Sequence, residues 1–389
     1  MFTLNQKKLE NLGAMITTRE IAQQPDLWDK AYTIYTEKRN DINNFFEKLT
    51  TKHGNIRVIF TGAGTSAYIG DTITPYLKGQ VDERQWDLNS IPTTTLVSNP
   101  YQFLKSDIPT LLVSFARSGN SPESIASVEL GEQIVKDFYQ LTITCAEDGE
   151  LANRAKDDEN NLLLLMPELS NDQGFAMTGS FSCMTLTALM VFDTVREDEK
   201  KARVKIIREM GLSVLERVSE IQKVIDNDFN RIIYLGSGSL GSLAREAQLK
   251  VLELTAGKIV TAFDSSLGFR HGPKSFINKK TIVFVFVSSQ PYTRKYDLDI
   301  LKELQIDGIA QSVIAIERTG EDNYDGDTFS FGIEGKDVPD AYLALPYIIY
   351  GQTVSLLSSV KVGNKPDTPS PTGTVNRVVK GVTIYDYKG

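Results

Sequence analysis

Three hydroxyl-rich loops and one helical row of charges hold the residues most able to do chemistry in this chain. The loops are Thr61-Gly-Ala-Gly-Thr-Ser66, Ser114-Phe-Ala-Arg-Ser-Gly-Asn-Ser-Pro-Glu123 and Thr178-Gly-Ser-Phe-Ser182. A Ser or Thr hydroxyl can donate to an anionic oxygen, a glycine lets the backbone approach it, and a helix opening at such a loop adds free N–H groups and a favourable dipole. Ser66, Ser118, Ser121, Thr178 and Ser180 are therefore candidate phosphate donors, with Gly64 and Gly119 allowing close approach. Taken singly, each loop reads first as a helix cap, the ordinary use of Ser and Thr. Three in one half of a protein favour an anion site. Hydroxyls and amides with little fixed positive charge suit one phosphate better than three, and no G-x-x-x-x-G-K-[ST] run supports P-loop chemistry.

The charges lie in Arg245-Glu-Ala-Gln-Leu-Lys-Val-Leu-Glu253, where Glu246, Lys250 and Glu253 fall on one helical face. Such a face usually meets solvent, but here it follows a glycine turn, so Glu253 is a candidate carboxylate base. Of two histidines, His53 reads as a surface residue. His271 sits in Leu267-Gly-Phe-Arg-His-Gly-Pro-Lys274, where Arg270 and Lys274 are expected to surround the imidazole with positive charge and make it a proton shuttle near pH 7. Two histidines and two cysteines leave almost nothing for a metal site, a Ser-His-Asp triad or a disulfide framework. Gly236-Ser-Gly-Ser-Leu-Gly241 matches the dinucleotide fingerprint, with Asp264 roughly where a ribose-binding acid belongs, so a nicotinamide dehydrogenase is one alternative. The match is weak, because any tight strand-to-helix turn needs similar glycines. No cofactor is expected.

These residues need a frame, and the chain repeats one. Arg57-Val-Ile-Phe-Thr-Gly-Ala-Gly-Thr65 returns as Arg231-Ile-Ile-Tyr-Leu-Gly-Ser-Gly-Ser239, 174 residues later. Thr110–Ser118 is matched by Thr281–Ser289, and Gln140–Thr144 by Gln311–Ala315, both at an offset of 171. A helical pattern precedes each copy, through Trp28, Tyr32, Tyr35, Ile42, Phe45 and Leu49 and then through Ile207, Met210, Val214, Val218, Ile221 and Ile225. Short apolar runs alternating with helix-length segments imply parallel sheets covered by helices on both faces. The expected fold is α/β, with two tandem doubly wound, flavodoxin-like lobes at 40–200 and 201–365. A helical extension over 1–39 and a Pro/Gly-punctuated tail over 366–389, able to move or cross to a neighbour, flank them. The run Arg196-Glu-Asp-Glu-Lys-Lys201 between the lobes reads as a solvated helix end.

The formal net charge of −8 disfavours nucleic acid and anionic membranes as partners. The apolar runs are far shorter than the roughly 18 to 20 residues of a membrane span, and the first residues lack an export-signal pattern, so a cytoplasmic location is expected.

Together these stretches resemble the sugar isomerase (SIS) domain family of phosphosugar-binding α/β lobes. Ala116-Arg-Ser-Gly-Asn-Ser121 is similar to the S-x-S-G-x-T phosphate loop in the isomerase half of glucosamine-6-phosphate synthase, with Ala116 in place of the first serine. Arg117 or Thr178 would compensate for that lost donor. Gly64-Thr-Ser66, Glu246–Glu253, Arg270-His-Gly-Pro273 and Val379-Lys-Gly-Val-Thr-Ile384 resemble its Gly-Thr-Ser turn, E-G-A-L-K-L-K-E helix, K-H-G-P turn and A-K-S-V-T-V segment. Over the whole chain the pattern looks most like the tagatose-6-phosphate ketose/aldose isomerases, which are galactosamine-6-phosphate deaminase/isomerases of amino-sugar catabolism.

The resemblance implies a phosphosugar substrate, conversion of galactosamine 6-phosphate to tagatose 6-phosphate plus ammonia, and a homodimer or dimer of dimers. It gives Glu253 the C1–C2 proton transfer, His271 ring opening, Lys380 the open chain, and Glu246 a place at the substrate. The alternatives are an aldose–ketose isomerase without deamination and, more remotely, a phosphosugar-sensing regulator.

Overall fold

The computed structural model describes residues 1–319, 324–333, 338–377 and 381–389, which divide into two compact units. One comprises Asp26–Asp172, Met177–Lys201 and Val375–Gly389, and the other Met1–Pro25, Gln173–Ala176 and Ala202–Thr374.

The first-lobe unit is built on β1 (Ile56–Thr61), β2 (Trp86–Ser90), β3 (Thr110–Ala116), β4 (Phe138–Thr144) and β5 (Asn161–Leu165), all parallel in the order β2-β1-β3-β4-β5. The other contains β6 (Arg231–Gly236), β7 (Val260–Ser265), β8 (Thr281–Phe286), β9 (Ser312–Glu317) and β10 (Asp327–Ser330), also parallel, in the order β10-β9-β8-β6-β7. The two orders are the same topology read from opposite edges, and the three repeated sequence pairs are the three central strands of each sheet. In both, the chain leaves the first strand for one edge and returns on its other side. The β1/β3 and β6/β8 crevices are therefore the switch points at which open α/β sheets hold ligands.

Burial on both faces explains why the central strands are continuous apolar runs without alternation. In the first sheet, Ile59, Leu112 and Ala116 pack under Leu96, Val128 and Leu130. In the second, Ile233, Leu235, Val283 and Val285 pack under Leu298, Leu301 and Leu304. The helix Asp340–Lys361 is long and apolar enough to cross a bilayer, yet almost all of it is buried inside its unit. It packs along the helix Ser239–Leu254, where a Cβ on Gly351 would come within 3.0 Å of Ala247 Cβ.

Three details depart from the sequence reading. The first 25 residues join the second-sheet unit, because Asp367 accepts from Ile16 N (3.1 Å), Thr17 N (2.8 Å) and Thr17 Oγ1 (2.8 Å). The pattern ending at Ile225 is two helices, Glu197–Glu216 and Val218–Ile225, interrupted at Arg217. In the supposedly solvated run, Lys200 is buried, donating to Tyr35 Oη (2.9 Å), the Met190 carbonyl (2.8 Å) and Glu197 (3.1 Å).

Candidate functional site

In the first-lobe unit, β1 enters the helix Thr65–Lys78 through Gly64 at φ 56°, ψ −127°, a conformation that side chains resist. That turn buries Ser66, whose Oγ lies 3.8 Å from Met177 Sδ. From β3 the chain passes through Arg117 and Ser118, turns at Gly119 (φ 68°), and enters the helix Pro122–Ile134. Ser121 is the N-cap of that helix, accepting from Ser124 N at 3.3 Å and donating to Ser124 Oγ at 2.6 Å. Ser118 is half-buried and accepts from Asn120 N at 3.3 Å, an arrangement that leaves its own proton for another acceptor. The Gly64–Ser66 and Ser118–Ser121 loops thus flank one switch point, beside the N-terminus of a 13-residue helix.

Thr178 and Ser180, expected at the phosphate, are engaged elsewhere. Both hydroxyls donate to the carboxylate of Asp172, at 2.7 and 2.5 Å, and the N–H groups of Thr178, Gly179 and Ser180 join them. A fully buried carboxylate with five donors is the anion at the head of the helix Gly179–Phe192, and a hydroxyl has only one proton to give. Arg117 likewise turns away from Ser118. Its Nη2 donates to the Arg377 carbonyl at 2.6 Å, while Arg377 Nε donates to the Asp172 carbonyl at 2.8 Å. Sequence reasoning missed Asp172 and Arg377. The first lies six residues ahead of Thr178, outside normal capping range, and the second meets its partner 205 residues away.

The charged row in the other unit is buried, contrary to its solvent-facing pattern. Glu246 is 0% and Lys250 1% exposed, whereas 25% of the Glu253 side chain remains open. Lys250 Nζ lies 2.7 Å from Glu253 Oε2 and 3.4 Å from Glu246 Oε1. Burial by itself would lower the Lys250 pKa, but the two carboxylates outweigh it and hold the pKa above the ordinary lysine value, so the amine stays charged. Within the trio, Glu253 has the access needed to exchange a proton with a ligand.

His271 is exposed in a turn, its N–H donating to the Gly268 carbonyl at 2.9 Å. The expected cationic surround is neutralised. Arg270 pairs with Glu303 (2.6 Å) and Asp299 (2.7 Å), and Lys274 with Glu303 and Asp307 (2.5 Å to the latter). Lys380 lies outside the described residues.

The glycine turn of the second sheet has the backbone of the first, with Gly238 at φ 56°, ψ −125°, but its crevice already contains carboxylates. Buried Asp297 accepts from Ser237 Oγ (2.6 Å), Ser266 Oγ (2.5 Å) and Ser288 N (2.9 Å). Asp340 accepts from Ser288 Oγ (2.5 Å), Ser289 N (2.7 Å) and Ser289 Oγ (2.8 Å). Burial pushes both carboxyl pKa values up, against these hydrogen bonds. A pyrophosphate there would meet two acids, which removes the basis for the dinucleotide alternative. Asp264 accepts from the next residue, Ser265 N, at 2.6 Å.

The SIS-domain family model matches residues 227–323, within the unit that contains the second sheet. The chain is 44% identical over 374 residues, 96% of each sequence, to the D-galactosamine-6-phosphate deaminase AgaS of Escherichia coli. It is 41% identical to the Shewanella protein of the same name over 99% of this chain and 95% of that one. A solved tagatose-6-phosphate ketose/aldose isomerase from Escherichia coli matches with TM-score 0.85 and 41% identity, over 96% of this chain and 97% of that one. The C-terminal domain of glucosamine-fructose-6-phosphate aminotransferase from Francisella tularensis shares the fold, with TM-score 0.71 at 17% identity, over 90% of this chain and 96% of that one. The chain belongs to the AgaS family of SIS-domain proteins.

Proposed function

We propose that this protein converts galactosamine 6-phosphate to tagatose 6-phosphate and ammonia, in the cytoplasm, as a step of amino-sugar breakdown. The reading is carried by full-length similarity to relatives named for that deamination, and is supported by a switch-point loop whose Ser118 keeps a proton to donate. Ser118 donates to the phosphate, with Gly64 and Gly119 permitting backbone approach, while Ser66 and Ser121, whose hydroxyls donate to Met177 Sδ and Ser124 Oγ, shape the loops around it. Thr178 and Ser180 act indirectly through Asp172, and Arg117 contributes charge rather than a direct bond.

The chemistry needs one base that serves two adjacent carbons. In the open-chain amino aldose, the C1 carbonyl acidifies the C2 proton. Glu253 removes that proton, giving an enolamine, and returns it to C1, giving a 2-imine. Water adds at C2, and ammonia leaves to form the ketose phosphate. General base catalysis of this kind contributes about 10² to 10⁴ in rate. Lys250 orients Glu253, Glu246 completes the charge around Lys250, and Lys380 stabilises charge developing on the open chain.

His271 protonates the ring oxygen for opening. Its exposure suits delivery into a neighbouring subunit's site, and the exposed apolar side chains of the edge strand β7 and the turn after it (Val260 50%, Phe263 42% and Leu267 48% exposed) support a homodimer or dimer of dimers. His271→Ala is expected to impair turnover of the cyclic aldose phosphate while keeping exchange of the C1 proton from the ketose side, where more open chain is present.

The name of the solved ketose/aldose isomerase favours one second reading, isomerisation without loss of nitrogen. Ammonia release across a panel of hexosamine 6-phosphates, measured with ketose 6-phosphate, separates the two. Stoichiometric ammonia from the galacto substrate supports the proposal. Aldose–ketose interconversion with no ammonia from any amino sugar replaces it with the second reading.

A further inference from the structure

We infer that Gly149 and Asn120 are positioning residues for the phosphate, clamping the Ser118–Asn120 loop against the start of the helix Glu150–Lys156 and so aiming the Ser118 hydroxyl. The inference rests on the reading that Ser118 donates to the phosphate.

The clamp begins with a helix that has no cap of its own. Gly149 is the N-cap of Glu150–Lys156, a place where Ser, Thr, Asn or Asp ordinarily satisfies the first free N–H groups, and a glycine has no side chain to do so. The neighbouring loop takes those donors instead. Glu150 N donates to Asn120 Oδ1 at 2.9 Å, and Leu151 N donates to the Gly119 carbonyl at 3.1 Å. Asn120 N in turn donates to Ser118 Oγ at 3.3 Å, so Asn120 meets the helix with its side chain and Ser118 with its main chain. The support is fixed, because Leu151 is 2% exposed and belongs to the core that holds Val128 and Leu130.

Space, not backbone conformation, calls for the glycine at 149. Its φ −68° and ψ 151° are open to any residue. A Cβ there, however, would overlap the Ser118 carbonyl oxygen and lie 3.2 Å from the Ala146 carbonyl oxygen. Both are backbone atoms, which cannot swing aside as the end of a flexible side chain can. The Ser118 carbonyl belongs to the residue whose hydroxyl is proposed to meet the phosphate, and Gly119 beyond it makes the turn at φ 68°. Pushing that carbonyl away moves the Ser118 peptide and re-aims its Oγ. The phosphate is remote from the C1 and C2 that react, so a poorer fit there weakens substrate and transition state alike and raises KM without lowering kcat.

The test is Gly149→Ala, Asn120→Ala, Ser118→Ala and the double variant at Gly149 and Ser118. Kinetics with galactosamine 6-phosphate are measured beside calorimetric binding of inorganic phosphate, and urea denaturation reports folding. Gly149→Ala should raise KM and the phosphate Kd by about tenfold with kcat within about twofold, and Asn120→Ala should raise both by about threefold. Added to Ser118→Ala, Gly149→Ala should change the phosphate Kd by less than about twofold, the non-additivity of residues that act through one group. Unchanged KM and Kd in Gly149→Ala, while Ser118→Ala weakens both, overturn the inference. So does a fully additive double variant, the result expected of a general brace, or a fall in kcat with KM unchanged, the result expected of a residue at the reacting carbons. Should Gly149→Ala not fold, Asn120→Ala decides, and wild-type phosphate binding by that variant overturns the inference. Wild-type phosphate binding by Ser118→Ala instead overturns the placement of the phosphate at Ser118, a failure that no result at Gly149 reproduces.

Discussion

The two lobes share topology, the register of the first strand against the third and even the dihedral angles of the first glycine turn, but they differ in where their carboxylates sit. In the first lobe the buried Asp172 turns to the head of its own helix, and Ser118 keeps a proton to donate. At the β6/β8 crevice Asp297 and Asp340 take the hydroxyls and N–H groups that would otherwise face a ligand. On the proposed reading, one copy keeps its crevice for an anion. The other closes it with internal acids and presents a buried ionic row on the following helix. Duplication supplied two equal frames, and a few buried carboxylates made them unequal.

That contrast fails most visibly if the ionic row is not what the second lobe contributes. Lys250→Met leaves Glu246 and Glu253 without the buried cation between them and should destabilise the fold by about 3 to 5 kcal/mol in urea denaturation, the usual cost of breaking a buried pair. Because the folded pKa of Lys250 is raised, its contribution is complete below the ordinary lysine pKa and is lost as pH rises through the folded value. The wild type should therefore lose stability on the alkaline side more steeply than Lys250→Met.

Glu253→Gln keeps the shape and removes the base. Turnover and solvent-deuterium exchange should both fall by about 10²-fold or more. Exchange at the wild-type rate would move the base elsewhere, with Glu246 next to be tested.

A smaller effect tests the open crevice. Ser118→Ala removes one neutral donor to an anion, a loss of about 1.5 to 3 kcal/mol, and should raise KM for the phosphorylated sugar tenfold or more. Wild-type KM would refute the phosphate placement. The matching change in the closed crevice, Ser289→Ala, should leave KM unaltered and lower stability instead, by about 1.5 to 3 kcal/mol, because its hydroxyl serves Asp340. A KM rise there equal to that of Ser118→Ala would erase the distinction between the lobes.

The sequence alone carried the frame. Three collinear repeats, apolar runs of strand length and glycines at strand ends are local signals. They were enough to read two doubly wound parallel sheets, because parallel pairing with helical crossovers leaves few other solutions. The same signals located the Ser118 loop, the Glu253 helix and the His271 turn.

Which groups remained available was decided only on folding. The partners that settle it are distant in the chain, 60 residues for Ser237 and Asp297, 52 for Ser288 and Asp340, and 260 for Arg117 and Arg377. The i, i+4, i+7 spacing of Glu246, Lys250 and Glu253 was legible, but their burial was not, because it depends on what the fold packs against that face. A hydroxyl donates one proton and a guanidinium faces one direction. Whether either serves a ligand or the fold therefore depends on which distant acceptor the packing brings within 3 Å, and residue type and spacing do not encode that.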